Sequence, residues 1–156
     1  MLIAAQLREV ELQSKLIDCW YDPKYKYYFS GCGYKLTLQD NNDLRHDLVY
    51  IDKDDKVAGY LSYQIDHCSR SLYNFGLIGF AKNNTPFIRE CIRHLLNQKA
   101  HRCEFWAWAD NPANKIYQRL INRYNGTQAG RLHNSGYFDG KYHDSIIYEI
   151  LFKEED

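Results

Sequence analysis

The sequence predicts a single α/β (α+β) domain in which a mixed sheet carries helices on both faces. Three observations lead to this fold class. Apolar residues recur with helical spacing in three segments, and short apolar runs bounded by polar turns supply seven strands. The two kinds of segment follow one another in the order β-α-(α)-β-β-β-α-β-α-β-β, which a sheet covered by helices on both sides accommodates.

The first half of the chain predicts a strand, one long helix and three further strands. Residues 1–5 form a short apolar start that is typical of a strand, and residues 6–20 have near-helical apolar spacing. That helix ends at Asp22-Pro23, because proline disfavours helical geometry in the residue before it. The aromatic-rich segment 25–34 predicts a short helix or a loop. Three strands follow, at 48–51, 57–65 and 72–81.

The second half predicts two helices, each linked to a strand, and a closing hairpin. Thr85 and Pro86 begin the first helix, because threonine caps free amides and proline suits the first helical position. The second helix ends at Asn125-Gly126, since glycine is favoured just past a helix end. The remaining segments are an apolar helix stripe at 87–96, a strand at 103–109, a second stripe at 116–124, and strands at 127–132 and 142–152 around the Asp139-Gly140 turn.

Length, composition and charge restrict the classes of function. The 156 residues predict one domain, 1–156. With 20 basic and 20 acidic side chains the net charge is zero, which disfavours nucleic-acid binding by bulk charge. There is no apolar run of ~20 residues and no basic leader, so we expect neither a membrane span nor a signal peptide.

The five cysteines are an odd number without a CxxC pair. This pattern predicts free thiols in a reducing compartment, hence a cytoplasmic protein, and no structural zinc or other metal site. A catalytic Cys-His pair stays open as an alternative, although no spacing favours one.

Positive charge is concentrated in the middle of the chain. Residues 82–131 carry 9 basic and 3 acidic side chains, whereas the segments before and after them have net charges of −2 and −4. A basic segment within a neutral protein indicates a local anionic ligand. The alternative is that the helix surfaces there simply use arginine and lysine.

Three motifs, which occur along the chain in the order that the family has, resemble the GNAT superfamily of N-acetyltransferases. The segment 54–60 resembles the family's second and third strands, and 139–144 resembles the tail of many members. Residues 110–117, Asp-Asn-Pro-Ala-Asn-Lys-Ile-Tyr, resemble the family pattern Asn-x-x-Ala-x-x-x-Tyr with one residue fewer between asparagine and alanine. The resemblance implies a mostly antiparallel sheet and acetyl-CoA as co-substrate.

The same resemblance implies an activity. A GNAT enzyme transfers acetyl directly to a primary amine in a ternary complex, without a covalent enzyme intermediate, and works as a monomer or homodimer. The acceptor is a small-molecule or a protein amine, which the sequence does not name. The alternative is an inactive GNAT-like interaction module.

The phosphate-binding loop departs from the family pattern Arg/Gln-x-x-Gly-x-Gly/Ala. Glycines there let backbone amides approach the pyrophosphate. In this chain Lys82-Asn83-Asn84-Thr85 leads into Pro86, so a helix start and one positive charge remain without the glycines. The resemblance places the pyrophosphate at these four residues, Lys82, Asn83, Asn84 and Thr85. It places the pantetheine arm along Ile78, Gly79 and Phe80, with Gly79 alternatively a packing glycine.

The resemblance also assigns roles near the reacting atoms. Asn111, with Asn114 in the same motif, would contact the cofactor, and Tyr117 would protonate the departing thiolate, for which a phenol of pKa ~10 is suited. The alternatives are a turn role for Asn111 and a core role for Tyr117. Glu104 is the carboxylate inside the central strands and is the candidate general base, or else an ion-pair residue.

An aromatic-rich stretch occupies the region in which the family builds its acceptor site. The alternative is that these side chains pack a helix onto the sheet. The stretch comprises Trp20, Tyr21, Tyr25, Tyr27, Tyr28 and Phe29.

Overall fold

The computed structural model describes residues 1–29 and 44–152, which form one seven-stranded sheet in the order β1-β2-β3-β4-β5-β7-β6. The strands are β1 (Leu2–Ala4), β2 (Arg45–Ile51), β3 (Val57–Asp66), β4 (Ser71–Gly79), β5 (Arg102–Trp108), β6 (Thr127–Phe138) and β7 (Lys141–Leu151). The helices are α1 (Glu9–Trp20), α2 (Lys26–Phe29), α3 (Thr85–Leu96) and α4 (Asn114–Arg123), with short 3-10 turns at Ala5–Arg8 and Pro23–Tyr25. Every strand pairing is antiparallel except the parallel pair β4–β5, so the predicted mixed, mostly antiparallel sheet is confirmed.

The two faces of the sheet carry different helices, as the sequence predicted. The buried residues Leu12 and Leu16 of α1 pack on one face, where Tyr60 is also buried. Phe87 of α3 and Ile121 of α4 belong to the core on the opposite face. None of the helices within residues 1–29 and 44–152 is long and apolar enough to cross a membrane.

The structure corrects details of two predicted elements. α3 begins at Thr85-Pro86 as predicted, but Asn84 is the residue before it, so Thr85 is already helical and is not the cap. Strand β6 extends to Phe138, well beyond the predicted 132, because most of its side chains are exposed on both faces and no apolar alternation marks it. Of the segment 25–34, residues 26–29 form α2, and the part from 30 onward lies outside the described residues.

Strands β4 and β5 separate soon after they begin. They pair only at Ser71–Arg102 and Leu72–Cys103. β4 then carries an extra residue relative to β3, with Asn74 at a φ of +55°, and such a bulge bends a strand and increases its twist. A gap, here called the wedge, therefore lies between residues 73–79 of β4 and 104–108 of β5.

Candidate active site

The wedge opens into a cavity of about 870 Å³ that passes through the sheet. On one face its walls are apolar side chains of α3 and α4, such as Ile92 and Leu120. On the opposite face it is lined by aromatic residues that include Tyr27, Tyr28 and Trp106. The passage lets two molecules that enter from opposite faces meet inside the sheet.

The backbone of β4 presents hydrogen-bonding groups to the wedge. Phe80 N–H donates to Ala58 O at 3.0 Å, so the opposed residues Gly59 and Gly79 do not bond each other. The polar groups of Gly79, and by alternation those of Leu77, therefore point away from β3 into the wedge. The Tyr25 hydroxyl donates to Gly79 O at 3.1 Å, so the Gly79 N–H and the backbone groups of Leu77 are those with which an amide-containing chain can pair.

Tyr117 lines the cavity and has a hydroxyl that is available to a ligand. Its ring packs on Phe105 and Tyr148, with centroid distances of 5.4 and 6.0 Å. Burial raises the pKa of Tyr117, so the phenol stays protonated at neutral pH. The Tyr148 hydroxyl donates to Asn114 Oδ1 at 3.0 Å, whereas no hydrogen bond holds the Tyr117 hydroxyl within the described ranges.

The two asparagines of the β5–α4 turn have different surroundings. Asn111 lines the cavity, and its Oδ1 accepts a bond from Ala113 N–H at 2.9 Å, so it is also a turn residue. Asn114 Nδ2 donates to Trp108 O at 2.8 Å and to Ala109 O at 2.9 Å. These two bonds and the one from Tyr148 occupy the side-chain amide of Asn114. Asn114 therefore fixes the β5–α4 turn, and Tyr117 follows it one helical turn later.

The N-terminus of α3 offers few groups to a phosphate. The Thr85 N–H already donates to Asn83 Oδ1 at 3.0 Å, and Pro86 has no N–H. The Asn84 side chain lies against Gly79, in space that a Cβ atom there would need, and its Oδ1 is buried without a partner in the described part of the chain. The exposed side chain of Lys82, in the loop before this terminus, is a positive charge that can contact an anion.

Glu104 lies in an ion-pair network on the sheet. Arg102 Nη2 is 2.6 Å from Glu104 Oε2, and Arg102 is also 2.7 Å from Glu149. Successive β5 residues point to opposite faces, so Glu104 lies on the face away from Phe105 and Tyr117. The structure therefore does not bring Glu104 and Tyr117 together.

A buried histidine beside the cavity was missed by the sequence analysis. His143 Nδ1 lies 3.0 Å from the Asp110 carboxylate, its Nε2 lies 3.2 Å from Phe138 O, and its ring stacks on Phe138 with centroids 3.6 Å apart. Burial alone would raise the pKa of Asp110, but the hydrogen bond from His143 and the charge of Lys141 lower it overall. His143 lies within the segment 139–144 already noted, although nothing in its spacing marked a partner.

Two contacts hold α2 against the turn between β6 and β7. Lys26 Nζ is 2.8 Å from Asp139 Oδ2, and the rings of Tyr27 and Phe138 meet edge to face at 6.1 Å. Because Tyr27 also lines the cavity, these contacts position part of its wall.

No protein-family profile matches the chain, and no curated protein sequence matches it. Solved structures do match. The chain is similar to a provisionally assigned phosphinothricin N-acetyltransferase, with 14% identity over 99% of each chain and a TM-score of 0.69. It is also similar to a chimera of the Vibrio cholerae spermidine N-acetyltransferase SpeG and hSSAT, with 20% identity, 97% of this chain and 95% of that chain covered, and a TM-score of 0.65.

A third match is a Salmonella typhimurium acetyltransferase that modifies the N-terminal serine of a 50S ribosomal subunit protein, with 19% identity, 70% and 65% of the two chains covered, and a TM-score of 0.54. All three are described as acetyltransferases, and two of these matches span nearly the whole chain. The chain has the GNAT fold. The three printed descriptions name different acceptors, so the GNAT fold by itself does not select one.

Within this GNAT fold only some of the predicted site residues line the cavity. Tyr117 and Asn111 both line the cavity. Lys82 and its neighbours lie at the start of α3, next to the end of β4, and the side chain of Ile78 is buried under α1. Within the described ranges no group of three His, Cys, Asp or Glu side chains is placed to hold a metal ion.

Proposed function

We propose that this chain is an N-acetyltransferase that moves an acetyl group from acetyl-CoA directly to a primary amine in a ternary complex. The observation that carries the proposal is the cavity through the sheet, with the hydroxyl of Tyr117 inside it. Acetyl-CoA would supply the acyl group as a thioester. The acceptor is a small-molecule or protein amine.

The chain's own groups fit the thioester arm of the donor better than its pyrophosphate. The backbone groups of Leu77 face the wedge and suit the amides of a pantetheine arm, and Asn111 lines the same cavity. At the other end Lys82 would be the main contact to phosphate, because the first amides of α3 are occupied or absent. We therefore place the arm along β4 and the pyrophosphate near Lys82.

The reaction needs two proton movements besides the exchange of bonds. A C–N bond forms between the acceptor nitrogen and the acyl carbon, and the C–S bond breaks. Tyr117 donates its hydroxyl proton to the departing sulfur and recovers a proton from solvent. The acceptor nitrogen gives its proton to water, since Glu104 is held in an ion pair with Arg102 and does not line the cavity.

Aromatic residues on the opposite side of the cavity would hold the acceptor. Tyr27, Trp106 and Trp108 line this part, and Trp106 is half exposed, so a molecule from solvent can reach it. Holding the amine beside the thioester lowers the barrier, because the encounter becomes effectively intramolecular.

Titration of the purified chain with acetyl-CoA tests the proposal first. Binding should release or absorb heat and stabilise the fold by ~2.7 kcal/mol at a hundredfold excess over the dissociation constant. A panel of peptides, amino acids and polyamines with thiol-release detection then identifies the acceptor. If millimolar acetyl-CoA gives neither heat nor a thermal shift, the enzyme proposal fails and the interaction module replaces it.

A further inference from the structure

The cavity continues beyond the wedge along the face that carries α3 and α4. Cys103 pairs with Leu72 and with Ile150, so it marks the part of the sheet in which β4 and β5 are still joined. Cys103 and Ile150 nevertheless line the cavity, and so does Phe152. The space therefore extends past the closed end of the wedge, where an acetyl group has no need of room.

The walls of this extension are apolar side chains from two helices that stand apart. α3 runs opposite to β4, so Leu95 near its C-terminus lies over the joined strands, and the cavity follows α3 from Ile88 to Leu96, a span of ~12 Å. Across from it lie Leu120 and Tyr124 of α4. The acyl groove is defined here as Leu95, Cys103, Leu120, Tyr124, Ile150 and Phe152.

Building on the proposed acetyltransferase function, we propose that the acyl groove binds the acyl chain of a thioester donor longer than acetyl, of medium length. The groove is continuous with the wedge, where the thioester carbon has to meet the acceptor amine and the Tyr117 hydroxyl. An acyl chain attached to the thioester carbon is part of the same ligand and supplies the apolar occupant of the groove. Leu95, Leu120, Tyr124 and Phe152 are only partly buried, and their remaining apolar surface favours such an occupant because its exposure to water is costly.

The phosphate end of the site supports the same conclusion. Thr85 N–H is capped by Asn83, Pro86 has no N–H, and Lys82 is the basic side chain of the loop before α3. A donor held weakly at its phosphates needs affinity from another part of the molecule. Contacts between an acyl chain and the groove supply it.

Longer acyl chains require no new chemistry. The acceptor nitrogen forms a bond to the acyl carbon, the C–S bond breaks, and sulfur takes a proton, as for acetyl. Only the group carried on the acyl carbon changes. The product is an N-acylated amine with a medium-length chain and the free thiol.

Calorimetric titration of the full-length chain with octanoyl-CoA and acetyl-CoA tests the inference. Each buried methylene contributes about fourfold in affinity, so burial of half of the six additional methylenes predicts that octanoyl-CoA binds about 60-fold more tightly. Leu120→Phe narrows the groove and should reduce the octanoyl-to-acetyl affinity ratio by about tenfold or more, and Leu95→Phe should do the same from α3. Leu132→Phe, the same substitution at a half-exposed site on β6, should leave the ratio unchanged.

The possible outcomes separate this inference from the function on which it rests. If acetyl-CoA binds and octanoyl-CoA binds no more tightly, the acyl groove is wrong and the acetyltransferase proposal stands. If neither donor binds, both proposals fall. A ratio that stays unchanged in folded Leu120→Phe and Leu95→Phe proteins also overturns the groove. Should both variants fail to fold, the wild-type ratio alone decides.

Discussion

Removal of one oxygen atom, as Tyr117→Phe, separates a catalytic role for this residue from a packing role. The ring keeps its contacts with Phe105 and Tyr148, because these involve the aromatic faces and edges. No hydrogen bond within the described ranges is lost with the hydroxyl, so the free energy of unfolding should change by less than ~0.5 kcal/mol. If the phenol protonates the departing sulfur, turnover should fall ~10²–10⁴-fold with donor affinity nearly unchanged.

Tyr148→Phe is the matched control, because it deletes the same atom one ring away. The Tyr148 hydroxyl donates to Asn114 Oδ1, and its loss leaves that buried acceptor unpaired at a cost of ~1–3 kcal/mol. The two variants should therefore show opposite patterns in urea unfolding and in a thiol-release assay run where chemistry is rate-limiting. Wild-type turnover in Tyr117→Phe, or a stability loss equal to that of Tyr148→Phe, would refute the reasoning.

Three further predictions follow from the surroundings of the wedge. Lys82→Ala should weaken CoA binding by ~1.5–3 kcal/mol in calorimetry, because few other groups there face an anion; an unchanged affinity would place the phosphates elsewhere. Gly79→Ala should destabilise the fold by ~1–3 kcal/mol in urea unfolding, since the added methyl meets Asn84, and Asn84→Ala in the same chain should relieve the cost. Burial, and secondarily the charge of His46, lower the pKa of His94. The contribution of His94 to the free energy of unfolding should therefore be fully present above pH ~6.5 and should be lost as the pH falls, because the unfolded chain takes up the proton first. His94→Gln should flatten this dependence of stability on pH.

Local signals in the sequence were sufficient for most of the fold. The hairpin β2–β3 has apolar runs on either side of a polar turn, and the chain after α1 turns at Asp22-Pro23, so both were predictable from adjacent residues. The bulge at Asn74 was not predictable, because it is a shift in the pairing of β4 with β3 that no local pattern marks. The extension of β6 was hidden because exposed residues carry no apolar alternation.

Site residues were predictable where a motif places them and not where distant segments meet. The motif around Asn111 and Tyr117 lies on one turn and one helix, and both residues line the cavity. The bond between Tyr25 and Gly79 joins residues 54 positions apart, and that between His143 and Asp110 joins residues 33 apart. Pairings over such distances depend on the assembled sheet, and a single sequence carries no local signal for them.

The two sides of the cavity are held by different contacts. On the side proposed for the donor, β4 pairs with β3, and two helices of the main core supply the walls. On the side proposed for the acceptor, the wall carrying Tyr27 belongs to α2, in which Lys26 pairs with Asp139, the Tyr27 ring meets Phe138 and Tyr28 packs against the core that includes α1. Because both charged side chains are substantially exposed, that ion pair contributes under ~1 kcal/mol. Substitution of the Lys26–Asp139 pair should therefore cost the fold little, because the packing of Tyr28 and the ring contact of Tyr27 remain.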